Sequence, residues 1–423
     1  MVVKRGYKQT EVGVIPEDWE IKSISDLNFD ISDGNYSSKY PKASDFRIIG
    51  IPFIRANNIR NMKVVDDELR YISEEQHSEL LKGHLKKNDI LITTRGEIGQ
   101  IALVPDRHIG SNINAQLVRI NVDKLKYDHR YIAFILAFDS TQKQFDNLQT
   151  GSALKQLPVG KFTSLKLPLP PTKAEQQAIA EALSDVDGLI SALDALIAKQ
   201  RAIKQGAMQE LLTGQRRLPG FAGEWEVKKL GECGDFKNGI NKGKEDFGVG
   251  HPFVNLLDIF GISRVSQSSS LGLINSTESE RAAYSLNKGD ILFVRSSVKP
   301  EGVGLTSLVC NDLKDTVYSG FLIRFRDYGK LSFEYKEYCF YEKNFRRKLI
   351  DSSTVSANTN INQNSLKNLE ILLPPTLAEQ TAIAQILADM DDAIAALVQK
   401  RAKTVALKQG MMQALLTGQV RLV

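Results

Sequence analysis

Apolar side chains at Ile179, Leu183, Val186, Ile190, Leu193 and Ile197 stand four, three, four, three and four residues apart. A 3.5-residue period is the seam of a helix packed lengthwise against another helix. Ile383, Leu387, Met390, Ile394 and Leu397 repeat the same steps. Pro170-Pro171 and Pro374-Pro375 stand just before the two runs, where proline is tolerated. Thr172 and Thr376 are the predicted N-caps, with Glu175 and Glu379 three residues on as the other half of a capping box. Gly214 and Gly418 are the predicted stops. From Lys173 to Leu212 there are 40 residues, so an unbroken helix would be roughly 60 Å long, with Gly206 and Gly410 as the places where it would bend.

The two runs are copies at a constant offset of 204 residues: Pro170-Pro171-Thr172 returns as Pro374-Pro375-Thr376, and Leu211-Leu212-Thr213-Gly214-Gln215 as Leu415-Leu416-Thr417-Gly418-Gln419. From Pro170 to Arg217, 29 of 48 aligned positions are identical, which uniform drift after duplication does not explain because the remaining sequence diverges strongly. That remainder still shares anchors. Glu17-Asp18-Trp19-Glu20-Ile21 and Gly223-Glu224-Trp225-Glu226-Val227 each open on a tryptophan followed by an alternating pattern, a predicted first strand. Asn88-Asp89-Ile90-Leu91-Ile92 and Gly289-Asp290-Ile291-Leu292-Phe293 each read as a turn and a strand, running into Arg95 and Arg295. Gapped segments Gly96–Gly99 and Glu301–Gly304 follow, then predicted aromatic-rich helices over Tyr131–Phe138 and Tyr335–Tyr341.

The fold class expected is therefore α+β. Two globular mixed α/β domains, 1–167 and 219–371, are separated by long helical segments, 168–218 and 372–423, that form an antiparallel coiled coil with internal pseudo-two-fold symmetry. A shared framework with divergent loops is what two binding modules with different targets would show. Two-fold protein symmetry is also the geometry that meets a two-part site on duplex DNA.

At 423 residues, with 42% apolar and 25% charged residues, the chain can bury two cores. A net charge of +5 and a pI near 8.8 are compatible with a nucleic-acid partner without requiring one. No apolar run reaches transmembrane length, and Met1–Thr10 lacks the apolar core of a signal peptide. Cys233, Cys310 and Cys339 show no C-x-x-C spacing and read as reduced thiols, so a cytoplasmic protein without a membrane partner is expected.

Catalytic motifs are missing where an enzyme would need them. Neither Pro-Pro pair sits in the N-P-P-Y/F setting that holds a flipped adenine. Gly239-Ile240-Asn241-Lys242-Gly243-Lys244 mimics a phosphate loop but is one residue short and runs into Glu245, so it reads as a solvated basic loop. Glu20 and Lys22 read as an exposed pair on a strand. His77, His84, His108, His129 and His251 make no pair at metal spacing. No catalytic residue, metal or cofactor is expected.

A domain opening near Pro16-Glu17-Asp18-Trp19-Glu20, a helix opening on Pro-Pro and Glu-Gln, and a second round of both resemble the specificity (S) subunit of type I restriction–modification enzymes. The likeness covers nearly the whole chain, and the Leu-Leu-Thr-Gly-Gln helix ends are its most specific part. The Asp33-Gly34 turn, the Ser37-Lys39-Pro41 loop and Ile51-Pro52-Phe53-Ile54-Arg55 are also similar to that family's target-recognition domains. The second half departs: no proline follows Asn238-Gly239-Ile240-Asn241-Lys242 at that spacing, and Asn255 stands where the first half has Arg55.

The resemblance implies a non-catalytic DNA-recognition subunit. Each domain would read half of a bipartite double-stranded DNA target through the major groove, and the helices would set the spacer length. Two methyltransferase (modification) subunits would dock largely on the helices and methylate adenine, and restriction/translocase subunits would add to that core. The alternatives are the recognition subunit of a related defence methylation system, or a coiled-coil scaffold spacing two protein-binding domains. By residue type and loop placement, the candidate DNA-binding residues of the first domain are Asn35, Tyr36, Ser37, Lys39, Arg55, Asn57, Thr94, Arg95, Asn112 and Asn114. In the second domain they are Asn238, Asn241, Lys242, Asn255, Arg295, Ser296, Ser297, Lys299 and Ser319. Phe134, Phe138, Phe340 and Phe345 read as core; Arg346-Arg347-Lys348 reads equally as a phosphate contact or a solvated face.

Overall fold

The protein's structure is a computed structural model that describes residues 4–34, 39–151, 155–267 and 270–422. Its backbone falls into two compact units, Met1–Asp194 with Lys400–Val423, and Ala195–Gln399. The helices Lys173–Leu211 and Leu377–Leu416 each contribute one stretch to each unit and run unbroken through Gly206 and Gly410.

In the first unit the strand Ile90–Thr93 is buried along its whole length, and its residues alternate between two cores. Ile90 and Ile92 face a core holding Trp19, Tyr131 and Phe162, while Leu91 faces a second core with Ile54 and Leu117. An uninterrupted apolar run is what a strand covered on both faces requires. It lies third in a six-stranded sheet ordered Asp30–Asp33, Leu117–Asn121, Ile90–Thr93, Ile101–Leu103, Met62–Val64, Ile59–Arg60. All neighbours are antiparallel except Ile101–Leu103 with Met62–Val64. A three-stranded sheet, Asn112–Ile113, Ile51–Ile54 and Arg70–Ile72, contributes to the second core.

The second unit repeats this plan. Ile291–Val294 lies third in a sheet ordered Gly234–Asn238, Leu322–Asp327, Ile291–Val294, Thr306–Val309, Arg264–Val265, with the last pair parallel. Its three-stranded partner is Val317–Tyr318, Phe247–Val254 and Gly272–Ile274. The predicted first strands form as Glu20–Ser23 and Glu226–Lys229, pairing Lys166–Leu169 and Glu370–Leu373. The aromatic segments differ. His129–Ala137 is a helix, but the expected second helix is two short 3₁₀ turns, Tyr335–Glu337 and Cys339–Tyr341. Their aromatics are core all the same: Phe134, Phe138, Phe340 and Phe345 are all buried.

Within each unit the two helices run antiparallel. Arg401 meets Asp194 and Lys408 meets Asp187, seven residues on along one helix and seven back along the other. In the second unit Lys204 meets Asp391 at 2.5 Å and Arg217 meets Glu379 at 2.6 Å in the same sense. The seam does more than join helices. Ile179, Leu183, Leu415 and Leu416 are part of the Trp19 core, and Leu211, Leu212, Ile383 and Leu387 part of the corresponding core in the second unit.

Candidate nucleic-acid interface

The repeated helix ends bind each globular domain through the motif that the sequence repeats. Thr172 and Thr376 cap their helices, each hydroxyl accepting from the glutamate N–H at 3.2 Å. The glutamate side chains are held by arginines of the Leu-Leu-Thr-Gly-Gln segments. Arg217 Nε and Nη2 donate to the two oxygens of buried Glu379 at 2.6 and 2.9 Å. Arg421 grips buried Glu175 likewise and reaches Asp18 at 3.0 Å. These two carboxylates hold the Arg421 guanidinium above its usual pKa. The same guanidinium groups lie 5.9 Å from the Trp225 and Trp19 ring centres. Gly214 and Gly418, at φ 69° and 67°, turn the chain so that it passes against those rings, where a Cβ would lie 3.2 Å from them. The next residue of the motif is a glutamine with a different task. Gln176 Oε1 accepts from Asp128 N–H at 3.0 Å, and Gln380 Oε1 from Ser332 N–H at 2.8 Å, both buried.

The variable loops hang on a second repeated frame. Gly34 N–H donates to Leu117 C=O and Gly239 N–H to Leu322 C=O, at 3.2 and 3.1 Å. Asn114 N–H meets Ile54 C=O at 2.8 Å and Ser319 N–H meets Val254 C=O at 2.9 Å. Thr94 N–H meets Gln116 C=O and Arg295 N–H meets Phe321 C=O, both at 2.8 Å. A Cβ on Gly34 would lie 2.2 Å from Asn114 C=O, and one on Gly239 2.1 Å from Ser319 C=O, so both positions admit only glycine. The expected pairing of Arg95 with Arg295 is corrected here by one residue. Arg295 stands where Thr94 does, and Ser296, bridged to Asn360, stands where Arg95 is bridged to Gln156. In an extended strand one residue of shift exchanges the two faces. Arg55 and Asn255 are true counterparts: Arg55 N–H meets Asn58 Oδ1 at 3.1 Å and Asn255 N–H meets Asp258 Oδ2 at 2.7 Å.

Asn35, Tyr36 and Ser37 lie outside the described residues. Lys39, Asn57, Arg95, Asn241 and Lys299 are exposed, and Lys39 lies 3.7 Å from Glu79. Arg55 is half-buried, with Nη2 on Glu68 C=O at 2.9 Å, and burial pulls its guanidinium below its usual pKa. The expected exposure fails for Thr94, Asn112, Asn114, Ser297 and Ser319, all buried. Asn112 Oδ1 meets His77 Nδ1, and Ser297 Oγ accepts from Lys299 N–H at 3.3 Å. Asn114 Oδ1 accepts from Gln116 N–H at 3.2 Å, as Ser319 Oγ does from Phe321 N–H at 3.3 Å. Lys242 is paired with Glu280 at 2.8 Å, and Asn255 Oδ1 accepts from Leu256 N–H at 2.8 Å. Asn238 lines an open polar cleft with Asn362, Gln363 and Asn364, and half-buried Ser296 sits beside Asn360. Arg295 Nη1 donates to Gly320 C=O at 3.2 Å, and the Asn241 amide packs on the same glycine. In the Arg346-Arg347-Lys348 run, Arg346 donates to the Glu301 and Val303 carbonyls, while Arg347 and Lys348 are exposed, Lys348 paired with Glu370.

The structure thus gathers Thr94 and Asn114 around the turn bearing Gln116, and Arg295, Asn241 and Ser319 around the turn bearing Phe321. Gln116 and Phe321 are exposed at these turns and were not among the residues chosen by type and loop placement, because only the frame marks their position. Among the described residues no three His, Cys, Asp or Glu side chains converge as a metal ion would need, and no helix is long and apolar enough to cross a membrane.

A family model of the type I restriction modification DNA specificity domain matches residues 16–200 and again 222–406. The chain belongs to this family. The putative type I restriction enzyme MjaX specificity subunit of Methanocaldococcus jannaschii is 27% identical over 99% of this chain and 97% of its own length. The type I restriction enzyme EcoKI specificity subunit of Escherichia coli K12 is 26% identical over 88% and 82%. The fold is shared with the crystal structure of the type I restriction-modification S subunit from M. genitalium, with TM-score 0.56 and 14% identity over 98% of both chains. A chain from a structural study of type I R-M complex assembly gives TM-score 0.61 and 18% identity over 96% and 99%. Both matches to the specificity-domain model begin at the edge of a tryptophan anchor and end within a long helix.

Proposed function

We propose that this chain reads a two-part sequence on double-stranded DNA for a type I restriction–modification complex. Residues 1–167 and 219–371 each read one half. The helical segments 168–218 and 372–423 set the number of unread base pairs and seat two methyltransferase subunits, which supply adenine methylation. Restriction and translocase subunits join that core.

The observation that carries this reading is the repeated hydrogen-bond frame with different side chains at matching exits: Thr94 against Arg295, Arg55 against Asn255, Gln116 against Phe321. A common scaffold fixes position while the side chains fix which base edge is complemented. The test is to express the chain with the methyltransferase subunit encoded beside it and map methylated adenines by long-read sequencing. A split motif absent when this chain is omitted is expected; an assembled complex that adds no motif would sink the reading. Residues inserted in a spacer helix should change the gap and leave both half-sequences intact, and altered bases would refute the spacer role.

A further inference from the structure

Gln116 and Phe321 are the third residues of two equivalent turns. Leu117 N–H closes on Asn114 C=O at 3.1 Å, and Leu322 N–H on Ser319 C=O at 2.9 Å. Both backbone groups of each residue are held: the N–H by the Asn114 or Ser319 side chain, the C=O by the Thr94 or Arg295 N–H. Thr94 Oγ1 adds a second bond to Gln116 C=O at 3.1 Å. The turns are pressed against Gly34 and Gly239, where no Cβ fits. Two side chains are therefore aimed outward from rigid, matching mounts, and rigid presentation is what selective recognition needs. Both are exposed, Phe321 with 56% of its surface open, and the Arg295 guanidinium and the Asn241 amide lie on the preceding residue, Gly320. Gln116 Oε1 accepts from Asn114 Nδ2 at 2.9 Å, which leaves its amide N–H donors without a partner among the described residues.

We propose that Gln116 and Phe321 occupy the same base-reading position in the two recognition domains, Phe321 packing on the C5-methyl of a thymine and Gln116 donating to an acceptor on a base edge. The inference rests on the DNA-reading function proposed above. On the major-groove edge of a base pair the thymine methyl is the apolar feature, and a phenyl ring complements it where an amide would not. The polar residues of each turn serve the backbone: Ser319 and Arg295 fix that of Phe321, as Asn114 and Thr94 do for Gln116.

The experiment uses the full chain with its methyltransferase subunits, first as wild type to establish the two half-motifs, then as Phe321→Gln, Phe321→Leu and Gln116→Leu. Phe321→Gln should lower the preference for thymine at one position of one half-motif by roughly tenfold to a hundredfold, leaving the other half unchanged. Phe321→Leu, still apolar, should keep most of it, and Gln116→Leu should relax one position of the opposite half. An unchanged motif in Phe321→Gln with methylation intact overturns the assignment. So does a Phe321→Gln chain that folds but no longer binds its methyltransferase, which would make the ring a protein contact. A wild-type complex with no split motif would instead bring down the DNA-reading function itself.

Discussion

Thr94 and Arg295 hold the same backbone bonds in the two units and could hardly differ more as side chains: a buried threonine closing on Gln116 C=O, and a guanidinium beside Gly320. At Glu175 and Glu379 the opposite holds, with the same side chain, the same arginine clasp and the same tryptophan behind it. The difference separates two kinds of constraint. Where helix meets recognition domain, a buried carboxylate must be paired, so residue identity is fixed. Where the loops leave the sheet, only backbone groups and one missing Cβ are constrained, so the side chains are free to diverge. Two small asymmetries cross that line: Trp225 Nε1 donates to Glu379 at 3.3 Å while Trp19 Nε1 makes no such bond, and Tyr338 OH donates to Asp391 at 3.1 Å in the second unit while Phe134 lies in the matching place beside Lys408 without a hydroxyl.

The sharpest way to break this comparison is through the clasps. Arg217→Ala and Arg421→Ala each strand a buried glutamate and should each cost about 3–5 kcal/mol. Hydrogen exchange should show the loss in the second unit for one and the first unit for the other; a clasp whose removal leaves its own unit protected would not be the constraint described. Gly34→Ala and Gly239→Ala drive a Cβ into a carbonyl oxygen and should cost about 3 kcal/mol each, read as a lower denaturation midpoint, with a harmless outcome at either site refuting the shared mount. Gln176→Ala and Gln380→Ala leave a buried N–H without its acceptor, at about 1–3 kcal/mol. Equal midpoint shifts would support equivalence, and unequal ones would show that one junction relaxes. Tyr338→Phe should be the mildest, about 1 kcal/mol or less, making the second unit like the first; a large loss of thermal stability would mean that hydroxyl anchors the domain.

Much of the architecture was legible because it obeys local rules. The 3.5-residue seam, the threonine caps and the glycine stops gave both helices, and a constant offset gave the duplication. The second aromatic helix was misread because Tyr335, Phe340 and Phe345 face the core without a continuous helix between them, and burial sets the same apolar pattern for two 3₁₀ turns. The loop frame was legible in outline, but the burial of its polar side chains was not. Asn114, Thr94 and Ser319 have the chemistry of base readers, yet each turns inward to bond a backbone group.

The sequence by itself determined that there are two halves, which residues cap and seam the helices, and which glycines recur, since these depend on neighbours within a few residues or on identity at a fixed offset. Only the tertiary structure decided that Arg421 closes on Glu175 and Asp18, that Arg295 matches Thr94 and not Arg95, and that Gln116 and Phe321 are exposed on matching turns. Those facts rest on hydrogen bonds between segments far apart in the chain, and no local periodicity records which distant partner a side chain will find.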